Sequence, residues 1–77
     1  MKATTSILAR AVRNADRAFL EGRKAFAYTH CARRLFEADA TARSIAEMEF
    51  ARAAALAGAR ALRAVARALH QAKESAR

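Results

Sequence analysis

The segment EADATAR, Glu37 to Arg43, decides the fold of this 77-residue chain. On both sides of it apolar residues recur at steps of three and four, and within it the recurrence stops. A backbone reversal here makes an antiparallel hairpin of two long helices. Without one, the chain is a single rod. The segment contains no glycine or proline, so the continuous helix is a real alternative. Asp39, Thr41 and Ser44 favour the reversal, because a short polar side chain can satisfy the free amides of a new helix. Ser44 and Glu47 also fit the reciprocal capping pattern S-x-x-E. The expected fold is therefore all-α, an antiparallel two-helix hairpin occupying residues 1–77. Its first helix spans about residues 5–37, its turn about 38–43 and its second helix about 44–75.

Working outward toward the N-terminus, Thr4, Thr5 and Ser6 are candidate caps of the first helix. Leu8, Val12, Ala15, Phe19, Gly22 and Phe26 then form a heptad seam, with a row of small residues beside it at Ala11, Ala18, Ala25 and Ala32. Toward the C-terminus the seam is Ile45, Met48, Ala55, Ala59, Leu62, Ala66 and Leu69, flanked by Ala51, Gly58, Val65 and Ala72. The large residues are expected to face inward. That pairing sets Phe26 against Ala55, Gly22 against Ala59, Phe19 against Leu62, Ala15 against Ala66 and Val12 against Leu69. Gly22 then falls beside Gly58, which suggests a tight crossing. Ile7, Leu20, Tyr28, Leu35, Phe50 and Leu56 fall outside both seams and are the candidate protein interface. Their burial would come from dimerisation of two hairpins into a four-helix bundle.

Composition agrees with helices and warns of a thin core. Alanine, the strongest helix former, is the commonest residue, and there are two glycines and no proline. No period-two alternation marks a strand. Leu, Ile, Val and Phe together number 14 of 77. So small a set of large apolar residues makes a lone hairpin marginal and favours a second copy or a partner. No apolar run approaches the length of about 20 residues that a membrane span needs.

The net charge of +8 is unevenly placed. Residues 1–24 carry +4, residues 25–51 carry −1 and residues 52–77 carry +5. Near each end the pattern R-A-(V/L)-R-x-x-x-R-A occurs once, giving Arg10, Arg13 and Arg17, then Arg60, Arg63 and Arg67. Spacings of three and seven keep each triplet on one helix stripe. Reversal near residue 40 brings both stripes to the open end, with Arg23, Lys24 and Lys73 extending them. Arginine outnumbers lysine 12 to 3, and its planar fork suits paired hydrogen bonds to phosphate or carboxylate. These nine residues are the candidate nucleic-acid-binding set, and the expected function is that of a small basic regulatory protein. The alternative is an adaptor or inhibitor that docks on a larger acidic or nucleoprotein partner.

No catalytic constellation emerges, and an enzyme is not expected. His30 and Cys31 are adjacent, so on a helix they diverge by about 100°. His70 stands alone. Metal-ligand spacings and glycine-rich phosphate loops are absent, so no metal or cofactor is expected. One cysteine cannot form an internal disulfide, which fits a reducing, cytoplasmic setting.

Overall fold

The computed structural model describes the backbone of residues 2–77 and the side chains from Ala3 onward. Helix α1 runs Lys2–Glu37 and helix α2 runs Thr41–Ser75. They pack against each other along their lengths, in a body with Cα extents of 57 × 13 × 11 Å. The reversal occurs where the heptad pattern breaks, but both helices begin three residues earlier than their sequence signals suggest.

The turn is built without glycine. Asp39 takes a left-handed backbone conformation with φ of 61°. The Ala40 amide donates to the Leu35 carbonyl at 2.8 Å, and the Asp39 amide donates to the Phe36 carbonyl at 3.1 Å. This is the Schellman closure of a helix C-terminus, in which the left-handed position is usually glycine. Aspartate is among the few L-residues that enter that region readily. Helix α2 starts directly behind it. Ala40 occupies its cap position with no side-chain cap hydrogen bond.

The capping box expected at Ser44 does not form. Ser44 lies inside α2 and is buried. Its hydroxyl donates across the hairpin to the Ala32 carbonyl at 2.7 Å. A tertiary acceptor has taken the hydroxyl that the local pattern assigned to a helix start. Thr4 likewise is helical rather than a cap, and its hydroxyl donates to Ser75 Oγ at 2.8 Å across the open end.

The inter-helix surface is the row of small residues, which corrects the expected pairing. Every buried apolar side chain among the described residues is alanine: Ala11 and Ala32 on α1, and Ala51, Ala54, Ala61, Ala68 and Ala72 on α2. Gly58 is buried with them. The proposed seam partners remain exposed, with Phe26 at 77 %, Phe19 at 66 % and Leu62 at 59 %. Small side chains let two helices approach to the near end of the usual 8–10 Å range. Each buried methyl contributes only about 0.8 kcal/mol, so this contact sets geometry more than it supplies stability.

The glycine crossing is also corrected. A Cβ placed on Gly58 would lie 3.6 Å from both the Ala18 carbonyl oxygen and Glu21 Cβ, an ordinary contact distance. A Cβ placed on Gly22 would meet nothing within 4 Å. Gly22 faces out of the hairpin, away from Gly58, and neither glycine is demanded by the approach of α1 to α2.

Candidate nucleic-acid interface

The small-residue rows sort the residues beside them onto two flanks, with a third set on the backs of the helices. In an antiparallel pair, residues one and four positions after the row fall on one flank of both helices. Residues one before and two after fall on the other. Grooves on the two sides bear this out. Phe26, Thr29, Met48, Arg52 and Ala55 line one. Arg10, Asn14, Ala64, Arg67 and Gln71 line another.

The first flank is apolar. It carries Leu8, Val12, Phe19, Phe26 and Phe36 from α1, and Ile45, Met48, Leu62 and Leu69 from α2, all exposed. Arg33, Arg52 and Lys73 lie along its length, and Glu49 borders it beside Ile45, Met48 and Arg52.

The second flank is basic. By helix position it holds Arg10, Arg13, Arg17 and Lys24 from α1, with Arg60 and Arg67 from α2. Arg10 and Arg67 line the same groove, so the two copies of the arginine pattern do meet across the hairpin. Arg10 Nη2 donates to Gln71 Oε1 at 2.8 Å, which holds one guanidinium against the opposite helix. Arg13, Arg17, Arg23 and Lys24 surround Leu20 on a surface that also includes Asp16 and Glu21. Lys24 reaches Glu21 at 3.2 Å, so part of the local charge is already compensated.

Two candidate cations, Arg63 and Lys73, fall elsewhere, and Arg23 stands at the border between surfaces. Arg63 sits on the back of α2. The Arg23 guanidinium carbon lies 6.0 Å from the Phe19 ring centroid, leaning toward the apolar flank. Lys73 belongs to the apolar flank by its heptad position. Two residues not singled out in the sequence, Arg34 and Arg43, take heptad positions on the basic flank near the turn. The heptad recurrence Arg13, Leu20, Ala27, Arg34 was the signal that could have found Arg34.

The six off-seam apolar residues divide. Ile7, Tyr28 and Leu35 are half-buried along the edge of the helix contact. Leu20 and Phe50 are exposed on the basic flank, and Leu56 is exposed on the back of α2. The Tyr28 and Phe50 ring centroids are 5.5 Å apart, joining the helices on the basic side.

Cys31 is exposed and free. Among the described residues no group of three or more His, Cys, Asp or Glu side chains is placed to hold a metal ion. Among the same residues no helix is long and apolar enough to cross a membrane. Comparisons with protein-family models, curated proteins and solved structures return no match.

Proposed function

We propose that this protein is a small cytoplasmic regulator that binds the phosphate backbone of nucleic acid through its basic flank, working as a dimer of hairpins. The observation that carries this reading is the convergence of Arg10 and Arg67, from opposite helices, on one groove. Arg13, Arg17, Lys24 and Arg60 continue the same flank. Arginine forks on a rigid helical surface match phosphate geometry. Helices fix the spacing of the charges, so the surface suits a regular duplex, RNA above all, more than a flexible strand. The apolar flank points away and is free to be covered without masking the arginines.

Six phosphate contacts lower affinity by roughly 10³-fold between about 50 and 200 mM salt. Fluorescence anisotropy with a labelled RNA duplex measures this directly. Binding that hardly changes over that range counts against a phosphate-reading surface. Reversing Arg60 and Arg67 to Glu abolishes binding while circular dichroism stays helical. Retained binding assigns the contact to another face.

A second reading rests on Leu20, 54 % exposed among Arg13, Arg17, Arg23 and Lys24, with Phe50 equally exposed on the same flank. Apolar anchors ringed by cations fit an adaptor docking on an acidic or nucleoprotein surface. Purification from the native host with and without nuclease separates the two. Co-purifying nucleic acid supports the first reading, and one stoichiometric protein that survives nuclease supports the second.

A further inference from the structure

We propose that the apolar flank is covered by a second copy of this chain, related by a two-fold axis that places the two turns at opposite ends, with Phe19 of each copy seated over Gly22 of the other. This deepens the dimer reading above and does not depend on what the arginines bind.

The need for a cover comes from the burial pattern. Among the described residues no large side chain is fully buried in the hairpin, while nine large apolar residues share one flank. A soluble monomer rarely leaves so continuous an apolar surface in water. The flank is 57 Å long and about two helix diameters wide. That is about 1,000 Å² per copy, against the roughly 800 Å² per partner of a standard stable interface.

The occupant follows from self-complementarity. The flank of α1 reads Val12, Ala15, Phe19, Gly22, Phe26, Thr29. Its midpoint lies between Phe19 and Gly22, which is also the midpoint of α1. A two-fold axis there sets Phe19 over Gly22 of the second copy, Phe26 over its Ala15 and Val12 over its Thr29. On α2 the same axis sets Leu62 over Ala55 and Met48 over Leu69 of the second copy. Large faces small at the centre of both layers. The axis also gives Gly22 a role. A glycine inside a helix is unfavourable relative to alanine, and within the hairpin nothing comes near this one. An aromatic ring arriving from another copy needs the missing methyl.

Charge selects the orientation. Residues 25–51, around the turn, carry −1, whereas the two open-end segments carry +4 and +5. Opposed turns lay each near-neutral end on the other copy's basic end. Aligned turns would stack the two basic ends together. The basic flanks of both copies remain on the outside.

Sedimentation equilibrium of the purified full chain is expected to give twice the 8.4 kDa protomer mass. A monomer overturns the proposal, whether it remains free, binds anionic vesicles or needs another protein. Gly22→Leu separates the proposed register from any other. In a hairpin alone a Cβ here meets nothing within 4 Å and leucine is the better helix former, so melting rises. In the proposed dimer it strikes Phe19 at two symmetric places, raising the dissociation constant by about 30-fold or more while helicity is kept. An unweakened Gly22→Leu dimer overturns the register. In a Cys31→Ser background, Val12→Cys with Thr29→Cys gives a disulfide-linked dimer on mild oxidation if the turns oppose. No link means the orientation is wrong. Duplex binding by the Gly22→Leu protein, measured in parallel, fails or survives separately, so loss of the nucleic-acid reading is not mistaken for loss of this one.

Discussion

Ser44 shows how one hydroxyl can serve tertiary rather than local structure. A serine three residues before a glutamate is a common helix-start signal, yet here the side chain is buried and donates to Ala32 on the other helix. Removing it costs about 1 kcal/mol of hydrogen bonding, and alanine's better helix propensity returns about half of that. Ser44→Ala therefore loses about 0.5 kcal/mol in urea denaturation. If Ser44 were capping α2 instead, the loss would be about 1 kcal/mol or more and would fray the first turn in amide exchange. The pattern was readable, but its tertiary acceptor was not. A short motif lists what a side chain can do locally and is silent on a carbonyl twelve residues back.

At the scale of the helices, the heptad recurrence, the antiparallel pairing and the reversal near residue 40 were all legible. Which of two neighbouring rows turns inward was not. Both the large row and the small row repeat every seven residues, and the habit of burying the larger side chains selects the wrong one. Alanine rows win within the hairpin because they allow the closer backbone approach. The large residues sit one and four positions further round and form a second surface. This makes the inner row sensitive to size in a graded way. Gly58→Ala adds a methyl at ordinary contact distance and is expected to stabilise by up to about 1 kcal/mol through helix propensity. Ala61→Leu, at a site 6 % exposed, must force the helices apart and costs about 1–3 kcal/mol. Thermal melts followed by circular dichroism should place the two variants on opposite sides of the parent.

For the whole molecule, two flanks of opposite chemistry lie on either side of a contact built from alanine and glycine. One flank keeps the apolar area a larger assembly can bury, and the other collects cations from both ends of the chain. The charge segregation was visible in the sequence, and so was the meeting of Arg10 and Arg67 once a reversal was assumed. The assignment of Lys73 and Arg63 to other surfaces was not. Triplets spaced by three and seven define a stripe, but its bearing on the neighbouring helix depends on the row that faces inward. With the large row inward the stripes rotate by about a seventh to a quarter of a turn, enough to move a residue between flank and back.

The left-handed aspartate at the turn has one more consequence. Asp39 alone, among non-glycine residues described, holds a positive φ, and each residue around it is at home in a helix. If Asp39 and Ala40, whose ψ is 62°, both relax into the right-handed helical region, α1 and α2 fuse into one helix about 110 Å long. Two such rods lying antiparallel recreate each α1–α2 contact between chains instead of within one, which is a domain swap. Asp39→Gly relieves the left-handed conformation and locks the compact form. Asp39→Ala removes the side chain suited to that conformation and adds the strongest helix former, favouring exchange. Small-angle scattering should find the alanine variant markedly longer than the glycine variant at equal mass, and equal lengths would mean the reversal is held by the packing rather than by this one residue.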